Sequence, residues 1–74
     1  MKKKSSFKDN KGRILLIWET TSGNLVGEVF ENGVVQRGKA DMRATFYQQD
    51  NDATEYRVCQ YFGFNPNSST RMAY

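Results

Sequence analysis

Histidine is absent from this 74-residue chain, and cysteine, proline and tryptophan occur once each. Each scarcity removes a class of chemistry. Without histidine the commonest general base is missing, and Ser-His and Cys-His nucleophile pairs are excluded. One thiol, Cys59, forms no internal disulfide, and a structural zinc normally takes four Cys or His ligands. No metal or cofactor is therefore expected, and the fold must stand on packing or on a partner subunit. A lone cysteine also fits a reducing, cytoplasmic compartment. No apolar run approaches the roughly 20 residues of a membrane-spanning helix; the longest is Ile14 to Trp18. Met1-Lys2-Lys3-Lys4 resembles the charged start of a signal peptide, but Ser5 to Arg13 is polar where an apolar stretch should follow.

The chain is long enough for one domain, with a thin core that buries about 60–65% of the surface the unfolded chain exposes. Its formal charge of +3 is unevenly spread. Residues 1–13 carry Lys2, Lys3, Lys4, Lys8, Lys11 and Arg13 against Asp9, a net of +5. Residues 14–74 carry five cations against seven anions, a net of −2. The basic character belongs to the N-terminal segment, and the body is slightly acidic.

Residues 1–12 are polar, lysine-rich and aperiodic, which predicts a disordered basic arm. A single β domain is expected over 13–64, and 65–74, with Pro66 and a Ser/Asn/Thr cluster, reads as a polar tail. Arg13 to Thr21 and Leu25 to Glu31 are rich in β-branched and aromatic residues and read as strands. Ser22-Gly23-Asn24 is turn chemistry between them. Asn32-Gly33 is a strong hairpin signal, with Val34 to Ala40 as the third strand. Taken as a two-residue loop, it pairs Glu28 with Arg37 and Gly27 with Gly38. The first turn, counted as two or four residues, pairs Thr20 with Leu25 and Trp18 with Gly27, which lays the indole over two glycines.

Asp41 to Gln49 is a candidate fourth strand with Phe46 inward. Residues 53–62 admit two readings. A strand would place Tyr56, Val58 and Phe62 on one face. A helix would use Asp52 as N-cap, Glu55 at N3 and Gly63 just past its end, burying Ala53, Tyr56, Cys59 and Phe62. The strand is the preferred reading. The expected fold is thus mainly β: a small, strongly bent antiparallel meander of four to five strands closing toward a barrel. An α+β domain with one helix at 52–62 is the alternative.

No catalytic constellation emerges. Asp50-Asn51-Asp52 begins like a calcium loop, but Glu55 and Tyr61 stand where a glycine and a glutamate are needed. Arg57 near Cys59 is a weak case for an activated thiol, and burial as a small apolar residue is the simpler reading. The chain is expected not to be an enzyme. Tyrosine and arginine are enriched at protein interfaces, which makes Tyr47, Tyr56, Arg57 and Tyr61 candidate partner contacts. In size and style the chain resembles accessory proteins of phages and mobile elements that bind and modulate a host protein, though no motif carries the resemblance. A second reading is nucleic-acid binding by a small β-barrel. It would use Lys2, Lys3, Lys4, Lys8, Lys11 and Arg13 in the arm, and Arg37, Lys39 and Arg43 beside Phe46 and Tyr47 on the body. A third is a structural subunit of a larger assembly. A protein partner ranks first, DNA or RNA second, with a homo-oligomer compatible with either and no membrane expected.

Overall fold

In a computed structural model the protein is described at residues 1–36, 38–50 and 53–65 and along the backbone of 70–71. Four strands, β1 (Lys2–Lys8), β2 (Ile14–Glu19), β3 (Leu25–Phe30) and β4 (Met42–Phe46), precede one helix, α1 (Glu55–Tyr61). A two-residue strand, β5 (Thr70–Arg71), follows. The strands form one antiparallel sheet in the order β4-β3-β2-β1-β5. It is open, with β4 and β5 as its edges, and α1 lies across one face. The expected closure toward a barrel is therefore not formed, and the segment preferred as a strand at 53–62 is helical.

Two further expectations change with it. Residues 1–12, expected to be a disordered arm, supply β1, whose Ser5, Ser6 and Phe7 are buried against β2. Val34 to Ala40, expected as the third strand, is part of a long connection between β3 and β4. Asp41 closes that connection: its N–H donates to Val29 O (2.8 Å), and its carboxylate accepts from Glu31 N (2.8 Å).

The β1–β2 and β2–β3 hairpins are built by the same local chemistry. In the first, Asp9 N donates to Arg13 O, Gly12 N to Asp9 O, and Arg13 N to the Asp9 carboxylate. In the second, Thr20 N donates to Asn24 O, Gly23 N to Thr20 O, and Asn24 N to the Thr20 hydroxyl. Gly12 (φ 80°) and Gly23 (φ 84°) hold the left-handed position that a three-residue loop of this kind requires. Because the loop is odd, Trp18 pairs with Val26 and Ile17 with Gly27, one residue from the expected register. A slip of one residue exchanges the two faces of a strand.

One face of the sheet consequently presents Phe7, Leu15, Ile17, Leu25, Val29 and Phe46 to Val58, Cys59 and Phe62 of the helical segment and to Phe64 beyond it. Gly27 lies under the helix and is covered by Val58 and Phe62; Trp18, expected to cover it, is on the opposite face. That second face carries a smaller cluster of Ile14, Leu16 and Phe30, partly covered by Trp18, Val35 and Ala40.

α1 is short and depends on its ends. Thr54 is the N-cap, its hydroxyl accepting from Arg57 N at 3.1 Å; the expected cap, Asp52, lies outside the described residues. At the C-terminus Gly63 (φ 76°) donates to Gln60 O and Phe64 N to Cys59 O, which is a Schellman motif. Its hydrophobic contact is Phe64 in the core beside Cys59. Replacing Thr54 by alanine should lower stability by about 1 kcal/mol. A lower urea midpoint with an unchanged slope would register it, and an unchanged midpoint would show that α1 is held by packing alone.

Candidate functional site

The sheet separates two surfaces. On the helix side, the buried positions of α1 are Val58 and Cys59, so Tyr56, Arg57, Gln60 and Tyr61 form the outward stripe at spacings i, i+1, i+4 and i+5. Tyr56 and Tyr61 are 57% and 61% exposed, high for tyrosines in a small domain. Tyr56, expected on the buried face of a helix here, is thus outside. The Tyr61 ring stands edge-on to Phe46 (centroids 5.2 Å apart) and to Phe62 (4.9 Å). Phe46 is itself in the core, so Tyr61 is braced from beneath while its outer side meets solvent. Tyr47, next along from Phe46, is exposed too. Three of the four candidate partner contacts therefore share one helix face, and the fourth follows the strand residue that supports it.

The basic residues are distributed differently from a continuous arm. Lys2, Lys4, Lys8 and Lys11 are exposed, and the Lys4 ammonium is 4.0 Å from Glu19. Arg13 is committed to the fold. Its Nε donates to Asp9 Oδ2 at 2.7 Å, Nη1 to Phe62 O and Nη2 to Gly63 O, and its guanidinium lies 4.6 Å from the centre of the Phe64 ring. Phe46, expected as a stacking ring, is buried. Arg37 lies outside the described residues, and with it the expected Glu28–Arg37 pair. The cross-strand neighbour of Glu28 is Arg43, at 3.7 Å from Nε to Oε2.

The second surface is a cleft of about 560 Å³ on the face away from the helix, lined by Met1, Trp18, Glu28, Gly38, Ala40 and Arg43. Trp18 Nε1 donates to Glu28 Oε1 at 2.7 Å, which fixes the edge of the indole. Glu28 is 14% exposed through its side chain, so its charge is answered by that N–H and by Arg43 rather than by bulk water. Lys3 is the register partner of Trp18 in β1 and shares its face. Lys39 is exposed between two lining residues, its backbone N–H tied to Gln36 O at 3.0 Å. Sequence reasoning missed this cleft because it put Trp18 and Glu28 on opposite faces. The signal that reunites them is the glycine in Thr20-Thr21-Ser22-Gly23-Asn24, which marks an odd loop.

Cys59 is fully buried between helix and sheet. Among the described residues, no group of three or more Asp, Glu or Cys side chains is arranged to hold a metal ion, and no helix is long and apolar enough to cross a membrane. Comparison with protein-family models, with curated proteins and with solved structures finds no match.

Proposed function

We propose that this protein is a small non-enzymatic binding domain that modulates a protein partner through the outer face of α1. The observation that carries the reading is the stripe of Tyr56, Arg57 and Tyr61, held on a capped helix and backed at Tyr61 by Phe46 and Phe62. Tyrosine and arginine offer large contact area with few torsions to freeze, and a braced ring loses less entropy on binding than a free one. Tyr47 extends the same surface from the end of β4.

The test is a double substitution, Tyr56→Ala with Tyr61→Ala, compared with the unaltered chain in affinity capture from cells in which the protein occurs. Any partner retained by the unaltered chain should be bound at least about 30-fold more weakly by the variant, the effect of losing a hot spot. Circular dichroism should show the variant folded. Equal retention by both chains, or no partner retained by either, would sink the proposal.

A further inference from the structure

We infer that β4 is an open sheet edge on which a second copy of this chain pairs its own β4, antiparallel and centred on Ala44, to continue the sheet across two molecules. β4 borders the sheet, and among the described residues no strand lies beyond it. Alternate N–H and C=O groups along an edge strand point outward, so β4 offers a template for a further strand. The two margins of the sheet differ in how they meet that hazard. Beyond its two pairs with β5, β1 has exposed Lys2 and Lys4 and a register shift between Lys3 and Ser5. Lysines and bulges are the usual guards of an exposed edge. β4, Met42-Arg43-Ala44-Thr45-Phe46, has neither lysine nor proline, and its pairing with β3 runs unbroken over all five residues. Its charged residue, Arg43, is answered by Glu28 at 3.7 Å.

The residues of β4 complement themselves in that register. With Ala44 on the two-fold axis, Met42 stands opposite Phe46 of the second copy, and Arg43 opposite Thr45. Directly opposed residues share a face of the sheet. Met42 and Phe46 lie on the α1 face, because their partners in β3 are Val29 and Leu25 of the core. Arg43 and Thr45 lie on the other, beside Glu28 and Val26. Apolar therefore meets apolar, polar meets polar, and no charge directly opposes its like. The Met42 thioether, 38% exposed in the single chain, gains an aromatic neighbour, and the Thr45 hydroxyl is an acceptor for Arg43. Alanine at the axis leaves no bulk where the copies cross. A foreign extended segment would satisfy the backbone alone; a second copy satisfies the backbone and both faces. The inference concerns the sheet edge and does not rest on the α1 stripe.

A five-residue edge buries less than the roughly 1,200 Å² of a standard interface, so a dissociation constant on the order of 100 µM is expected. Sedimentation equilibrium of the full chain from about 10 µM to about 1 mM tests it. The mean mass should rise from monomer toward dimer and stop there, because an isologous contact closes. Thr45 is exposed. Thr45→Lys puts a cation opposite Arg43 twice in the symmetric dimer and should weaken it about five- to thirtyfold. Thr45→Glu puts an anion there and should strengthen it several-fold. Asn10→Lys and Asn10→Glu, the same charge changes in the β1–β2 turn, should leave the constant unchanged. Circular dichroism should show the variants folded; if Thr45→Lys fails to fold, Thr45→Glu alone decides. A chain that stays monomeric at about 1 mM overturns the inference and leaves the edge to a foreign segment. Growth past the dimer overturns it too, as does a dimer that the Thr45 variants do not shift in opposite directions. A dimer that Tyr56→Ala dissolves would place self-association on α1 instead.

Discussion

Gly27→Val should leave the protein largely unfolded at 25 °C, and Gly27→Ala should cost about 1–3 kcal/mol. Gly27 sits in the middle of β3 with α1 directly above it. A β-carbon built there falls 2.6 Å from Val58 Cγ1 and 2.6 Å from Phe62 Cε2, closer than carbon atoms approach. Both neighbours are buried, so neither yields by swinging into solvent. The helix must lift, and lifting it separates Val58, Cys59 and Phe62 from the sheet. A domain of this length has on the order of 4–11 kcal/mol of stability in total. Valine adds two more carbons to an interface that cannot take one, so its cost consumes most of that. In an open strand the direction would be reversed, because alanine restricts the unfolded chain and packs better than glycine. A double-mutant cycle with Val58→Ala isolates the cause. Val58→Ala alone should destabilise by about 2–3 kcal/mol, and the pair should be more stable than the sum of its parts by about 1 kcal/mol or more. Strict additivity in urea unfolding would mean that Gly27 is not pressed by the helix.

The place of Gly27 was only half legible in the sequence. The strands at Ile14–Glu19 and Leu25–Phe30 announce themselves through runs of β-branched and aromatic residues. Their mutual register does not, because it is decided by the parity of the loop between them. Asp9-Asn10-Lys11-Gly12-Arg13 and Thr20-Thr21-Ser22-Gly23-Asn24 share one pattern, a side-chain acceptor three residues before a glycine. Each places that glycine at positive φ. Read together they specify odd loops twice over, and the assignment of Trp18 and Glu28 to one face follows. Read singly, the second is compatible with an even loop, which puts every side chain of β2 on the wrong side of its partner. The candidate surface on α1 was legible as residue types, tyrosines and an arginine, but not as a face, since that needed the helix rather than the strand.

In other segments tertiary contacts override the local signals. Asn32-Gly33 does adopt the backbone its composition favours: Gly33 has φ 74°, and the Asn32 carboxamide accepts from Val34 N. Yet Val35 and Ala40 pack over Ile14, Leu16 and Phe30 instead of extending a hairpin, and β3 pairs with β4 instead. The N-terminal strand is harder still. Its buried positions are Ser5, Ser6 and Phe7, so only one of the three is apolar, and its lysines mask it. Lys2, Lys4 and Lys8 are exposed along a strand that β2 holds in place, a placement no periodicity reveals.

Arg13→Ala should destabilise the protein by about 2–3 kcal/mol, the range for charge-assisted hydrogen bonds lost together with a ring contact. The guanidinium joins the β1–β2 turn to the end of α1: it binds Asp9 on one side and the carbonyls of Phe62 and Gly63 on the other. Those carbonyls lie at the negative end of the helix, where a cation is favoured. Arg13→Lys retains the charge but not the planar fork, so it should recover less than half of the loss. The same contact sets an acid dependence. Partial burial raises the pKa of the Asp9 carboxyl, but the side-chain hydrogen bond from Arg13, the N–H groups of Arg13 and Lys11 and the Arg13 charge outweigh it. The carboxyl is therefore held below the usual carboxylate range. A carboxyl lowered on folding contributes stability that is fully present above its unfolded value, near pH 4, and is lost as pH falls through the folded one. Urea midpoints of the unaltered chain should decline below about pH 4, and the decline should be shallower in Arg13→Ala, where Asp9 has lost its cation. If the two acid limbs run parallel, Asp9 does not depend on Arg13. The carboxylate would then be held by the backbone of its own turn, and Arg13 would act on the helix end alone.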